Sequence, residues 1–166
     1  MANITLKGEP IHTAGSLPST GNQAPDFTLT GTDLAEYNLS SFQSGNIVMN
    51  IFPSLDTSVC SATVREFNQR AAEISKGSVL CISMDLPFAQ QRFCGAEGIE
   101  RVTMLSAFRH PEFGEAYGVK ITDGPIAGLL ARSVLVVDAN GTVKHSELVP
   151  EIAQEPDYDA ALKSMA

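Results

Sequence analysis

Ile47-Val48-Met49-Asn50-Ile51-Phe52-Pro53-Ser54-Leu55-Asp56-Thr57-Ser58-Val59-Cys60 reads as a short buried strand, a proline stop and the opening of a helix. The first six residues are rich in apolar and β-branched side chains, and Pro53 closes them. From Ser58 the apolar residues Val59, Ala62, Val64, Phe67, Ala71 and Ile74 recur roughly at three- and four-residue intervals. Ser61, Arg65, Asn68 and Gln69 fill the gaps, which predicts an amphipathic helix over 58–75. Cys60 then falls in the first turn. Unpaired backbone N–H groups and the positive end of the helix dipole favour an anion there, and the thiolate is the nucleophilic form of a cysteine.

Outward from this strand and helix, Gly77 and the run Ser78 to Met84 predict a second buried strand, completing a βαβ unit. Pro87 opens a short helix over 88–95, followed by a strand over 102–105 and a helix over 112–117. Arg132 to Asp138, the Asn140-Gly141 turn and Thr142 to Ser146 make a hairpin, and a last helix covers 158–165. Before the central strand lie a hairpin over 3–13 with Gly8-Glu9-Pro10 as its turn, a Ser/Gly/Pro/Asn-rich loop over 15–25, a strand over 27–29 and a polar connection through Asn38-Leu39-Ser40. This order is that of a thioredoxin-like α/β fold, a central mixed sheet flanked by helices, with an N-terminal β-hairpin extension and one domain over 1–166. A vicinal Cys-x-x-Cys pair is missing, because Thr57 and Thr63 stand three residues either side of Cys60.

Composition narrows the function. A chain of 166 residues with 43% hydrophobic and 18% charged side chains can build a core, and 19 acidic against 11 basic residues leave a net charge of −8. No basic patch is available for nucleic acid or an anionic membrane. The N-terminus lacks a signal-peptide pattern and no apolar run approaches a membrane span, so a cytoplasmic protein is expected. Three cysteines in such a chain suggest a redox or catalytic thiol rather than a disulfide framework. Cys81, inside the strand 78–84 between Leu80 and Ile82, reads as core.

Pro53-x-x-x-Thr57-x-x-Cys60 matches the active-site signature of the peroxiredoxins. Asn50 to Ser54, Leu80 to Ser83, Leu86 to Gln90, Arg92-Phe93-Cys94-Gly95-Ala96-Glu97-Gly98 and Asp123-Gly124-Pro125 extend the likeness over nearly the whole chain. In these segments it resembles the bacterial thiol peroxidases, the atypical two-cysteine peroxiredoxins. The resemblance implies a hydroperoxide substrate and in-line attack by Cys60, with a sulfenic acid left on the enzyme. Thr57 would place its hydroxyl near sulfur and peroxide, Pro53 would shield the pocket, and Arg132, carried over from the family, would supply the cation. Backbone N–H groups near Val59 and Cys60 would complete the donors. Cys94 would resolve the sulfenic acid as an intramolecular disulfide, after local unfolding of both segments.

The resemblance also implies thioredoxin as reductant, no bound cofactor and a homodimer with residues 121–125 near its interface. Phe88, Phe93, Ile121 and Leu129 are expected around the site, favouring bulky alkyl hydroperoxides beside hydrogen peroxide. Three other readings carry less. A zinc site would need the three cysteines with one of the scattered His12, His110 and His145, without any metal-type spacing. A Cys60–His110 hydrolase has no marked cleft. A non-enzymatic redox sensor would use the same cysteines without turnover.

Overall fold

The computed structural model describes residues 1–74 and 76–165. Its first half contains β1 (Asn3–Leu6), β2 (Glu9–His12), β3 (Thr28–Gly31), β4 (Glu36–Asn38), β5 (Asn46–Ile51), α1 (Ser58–Arg70) and β6 (Gly77–Ser83). There follow α2 (Pro87–Glu97), β7 (Thr103–Ser106), α3 (Glu112–Ala116), β8 (Ser133–Val137), β9 (Val143–Leu148) and α4 (Tyr158–Lys163). Seven strands form one mixed sheet in the order β4-β3-β7-β6-β5-β8-β9, and β1 and β2 pair as a separate hairpin. The centre, β5-β6-β7, is parallel, and the outer pairings are antiparallel. The architecture agrees with the thioredoxin-like expectation.

Successive strand side chains point to opposite faces, and this period separates two cores. Ile47, Met49 and Ile51 of β5 join Leu80, Ile82 and Leu135 on one face, together with Phe113, Tyr117 and the hairpin residues Ile4 and Ile11. Val48 and Phe52 join Val79, Cys81, Val134 and Val136 on the other. That second face receives Cys60, Val64 and Phe67 from α1 and Ala161 from α4. The helical period read from the sequence therefore points α1 into the sheet, with Cys60 on its buried stripe.

Several boundaries differ from the sequence expectation. The hairpin turns at Lys7 and Gly8, both with positive φ (51° and 85°), so Glu9 and Pro10 belong to β2 rather than to the turn. A two-residue turn with two positive φ angles matches the twist of antiparallel strands. The carboxylate of Glu151 holds this turn, accepting from Gly8 N at 2.9 Å, Thr5 Oγ1 at 3.1 Å and Ala153 N at 2.7 Å. The segment 36–38, read as part of a turn and polar connection, is a strand because β3 offers it an edge. The helix predicted over 58–75 ends at Arg70 with a 3-10 turn at Ala71–Glu73, and Ser75 lies outside the described residues. The helix opened by Pro87 runs two residues beyond Gly95 and ends at Gly98 in the left-handed conformation (φ 66°). The last helix stops at Lys163, two residues before Met165. Among the described residues no helix is long and apolar enough to cross a membrane.

Candidate active site

Cys60 is the third residue of α1, with Thr57 in the N-cap position. The first backbone bond of the helix runs from Ser61 N to the Thr57 carbonyl at 3.1 Å, so the Ser58, Val59 and Cys60 N–H groups precede the intrahelical ladder. The sulfur is fully buried, and Arg132 Nη2 donates to it at 3.1 Å. Arg132 is itself 1% exposed. Its Nε donates to the Ile152 carbonyl at 2.7 Å, while Nη1, also buried, has no partner among the described residues.

Above this pair opens a cavity of about 290 Å³ lined by Pro53, Thr57, Ser58, Val59 and Arg132, with apolar walls from Leu6, Ile126, Leu129 and Ile152. Pro53, Thr57, Cys60 and Arg132 are therefore brought together. The Thr57 hydroxyl donates to the Ser54 carbonyl at 3.0 Å. That bond uses its single proton and leaves its lone pairs free to accept.

The expected apolar surround needs correction, since only Leu129 of the four named residues lines this cavity. Phe88 lies on the outer side of α2, whose buried positions near it are Pro87 and Gln90; it is 65% exposed beside Phe108. Phe93 packs against the core that holds Cys60, and Ile121 is buried in the opposite core. Residues 122–125 are exposed and hydrogen-bonded to the hairpin: Thr122 N donates to the His12 carbonyl at 2.9 Å and Asp123 accepts from His12 N at 2.8 Å.

Cys94, half-buried, packs against the edge of the Cys60 core and borders a separate cavity of about 400 Å³ between α2, β3, β4 and β7. That cavity is larger, yet it contains no cation beside a sulfur, and the chemistry points to the smaller one. Cys60, Cys81 and Cys94 are all free thiols. Burial raises the Cys94 pKa above its usual value. Burial pushes the Cys81 thiol up to about 12, against a weaker lowering by the Asn50 amide. His110 is bound to Glu36 and Glu112, so the structure does not bring it to Cys60. Among the described residues no cluster of His, Cys, Asp and Glu is arranged to hold a metal.

Three features of the site are absent from the sequence reading. Asn50 Nδ2 donates to Thr63 Oγ1 at 3.2 Å and Thr63 Oγ1 donates to the Cys60 carbonyl at 2.7 Å, tying the first turn of α1 to the sheet. A polar residue inside an apolar strand was the available signal for Asn50. The Ile152 carbonyl and the Leu6 and Lys7 wall come from distant loops and carry no local signal.

The buried Cys81 thiol generates a direct expectation. Folding raises its pKa from 9.0 to about 12, so the core holds the neutral thiol. Its contribution to stability is intact below pH 9.0 and is lost as pH rises from there toward 12. Native alkylation with iodoacetamide at mildly alkaline pH, mapped by peptide mass, should modify Cys94 and leave Cys81 until the protein is denatured. Equal labelling of the two would contradict the core assignment.

The Redoxin family model matches residues 19–162. Thiol peroxidases of Mycobacterium tuberculosis and Mycobacterium bovis are each 58% identical over 165 residues, covering 99% of this chain and 99% of their own length. Among solved structures, a peroxiredoxin-like protein from Aquifex aeolicus superposes with a TM-score of 0.93 at 38% identity, covering 99% of this chain and 96% of its own. A thiol peroxidase from Chromobacterium violaceum shares the fold at 24% identity, with a TM-score of 0.88, over 97% of this chain and 93% of its own. On full-length identity as well as on fold, this chain belongs to the redoxin family, among the thiol peroxidases of the peroxiredoxin type.

Proposed function

We propose that this protein reduces hydrogen peroxide and organic hydroperoxides through Cys60, with Cys94 as the resolving thiol and thioredoxin as the reductant. The observation that carries the reading is the buried Arg132 guanidinium, with Nη2 3.1 Å from Cys60 Sγ and Nη1 without a partner among the described residues, at the base of a cavity bounded by Pro53 and Thr57. The Cys60 thiolate attacks one peroxide oxygen, the O–O bond breaks, and the leaving oxygen takes a proton to depart as water or alcohol. Cys60 is left as sulfenic acid. Charge developing on the leaving oxygen meets the guanidinium, and a preorganised donor is worth most in a site that excludes water. The Thr57 hydroxyl, its proton committed to Ser54, accepts from the peroxide O–H. Pro53 adds a wall without an N–H, and the N–H groups of Val59 and Cys60 face the reacting oxygens.

The Cys94 thiol then displaces water from the sulfenic acid to form a Cys60–Cys94 disulfide, and a reduced dithiol partner returns both thiols. Cys60 is buried beneath one cavity and Cys94 borders another, so the reaction calls for local unwinding of α1 and α2. The whole of 1–166 acts as one domain in this reading, supported by hairpin residues Ile4 and Ile11 sharing a core with the sheet. A cytoplasmic setting fits thiols kept free between turnovers.

One equivalent of cumene hydroperoxide should consume two thiols and link Cys60 to Cys94 by peptide mass, and catalytic thioredoxin with its reductase and NADPH should sustain turnover. Cys94→Ser should stall at sulfenic acid and Cys60→Ser should not react. Survival of all three thiols sinks the peroxidase reading, and a single oxidation without turnover would favour the redox sensor.

The apolar walls Leu6, Ile126, Leu129 and Ile152 support alkyl hydroperoxides as good substrates. The expected kcat/KM for cumene hydroperoxide is at least that for hydrogen peroxide, and a clear preference for the latter rejects this assignment. A homodimer is part of the same proposal. Sedimentation velocity should show a species of twice the chain mass, whereas a monomer at all concentrations rules it out.

A further inference from the structure

Asp85 lies between β6 and α2, next to Leu86, the N-cap residue of the helix that carries Cys94. Its carboxylate gathers donors from two parts of the chain. Ser54 Oγ reaches one oxygen at 2.9 Å, while Leu55 N at 2.9 Å and Ser83 Oγ at 2.7 Å share the other. Ser54 passes this constraint on, because Thr57 N at 3.2 Å and Thr57 Oγ1 at 3.0 Å both donate to its carbonyl. An unbroken chain of hydrogen bonds thus runs from Asp85 through Ser54 to the hydroxyl bordering the cavity. Neither α1 nor α2 has a side-chain cap of its own.

We propose that Asp85 is a positioning residue for the peroxide reaction, clamping the 53–57 loop so that the Thr57 hydroxyl and the Pro53 wall stay set over Cys60. The same carboxylate marks where unwinding stops when Cys60 and Cys94 join, because it ties the roots of both segments together. The inference rests on the peroxidase reading of the site. Gln90 provides an internal control. Its Nε2 donates to Ser83 Oγ at 3.3 Å and to the Leu105 carbonyl at 3.0 Å, anchoring the same root of α2 without touching the 53–57 loop.

Rapid-quench single turnovers with cumene hydroperoxide separate the second-order oxidation of Cys60 from the first-order formation of the disulfide. Asp85→Ala should slow Cys60 oxidation by about tenfold or more, since small misplacements of reacting groups are costly, without slowing disulfide formation. Asp85→Asn should recover most of the oxidation rate, because its amide oxygen can still accept from Leu55 N. Gln90→Ala should leave that rate within about twofold of wild type whatever its loss of thermal stability. Ser54→Ala, a milder cut in the same chain, should slow oxidation less than Asp85→Ala and decides the matter if that variant does not fold. An unchanged oxidation rate in Asp85→Ala or Ser54→Ala overturns the proposal, as does equal slowing in Gln90→Ala. A wild type that fails to lose thiols overturns the peroxidase reading itself.

Discussion

The buried contact between Arg132 and Cys60 constrains the rest of the site. A guanidinium withdrawn from water costs several kcal/mol unless its donors are engaged, and Arg132 heads the largest fully buried side chains of the molecule. Its fixed points come from separate parts of the fold. The Ile152 carbonyl takes Nε, Val149 N donates to its backbone carbonyl at 3.0 Å, and the Cys60 sulfur takes Nη2. Strand register supplies the alignment: β8 runs antiparallel to β5 with Ser133 opposite Ile51, so Arg132 emerges level with the end of β5 where the chain turns at Pro53. The loop from Pro53 to Thr57 then has only to bring α1 back over the same sheet end.

The helix is held there by polar groups in an otherwise apolar layer. Asn50 pairs in register with Cys81, reaches its sulfur at 3.6 Å, and continues through Thr63 to the Cys60 carbonyl. Its Oδ1 is buried without a partner among the described residues, a cost of about 1–3 kcal/mol for an unsatisfied group. An apolar residue at position 50 would avoid that cost but would remove the hydrogen bond that ties Thr63, and through it the Cys60 carbonyl, to β5. Hydrogen bonds fix direction as well as distance, which an apolar contact does not, and the sulfur must meet one particular donor.

These facts explain what could be read from the sequence. The apolar, β-branched runs of β5, β6 and β8 and the helical stripe of α1 are local signals, and each element forms at its pattern, although α1 stops at Arg70. The grouping of Pro53, Thr57 and Cys60 is also local, within nine residues of the end of β5. Arg132 was legible only by resemblance, because its place beside Cys60 depends on β5–β8 register, which no short window contains. Phe88 shows the converse error: it is expected among the apolar residues around the site, whereas helical phase turns its ring to the outer face. Strand β4 and the Lys7-Gly8 turn depend on a neighbouring edge and on a residue accepting positive φ, neither of which composition announces.

Helix α2, which carries Cys94, is unevenly anchored. Its buried positions, Pro87 and Gln90, lie in its first half, and from Gln91 to Gly98 its residues are exposed or half-buried. Gly95 sits in this second half with nothing near the place where a Cβ would stand, and an interior glycine costs a helix about 0.5–1 kcal/mol relative to alanine. Unwinding from the Gly98 end therefore sacrifices few buried contacts, while the Asp85 and Gln90 bonds hold the root. In the proposed reaction such a helix would stay folded while Cys60 is oxidised and open afterward without disturbing β6 or β7. Packing that is dense at one end and sparse at the other would let one fold serve both steps of the proposed reaction.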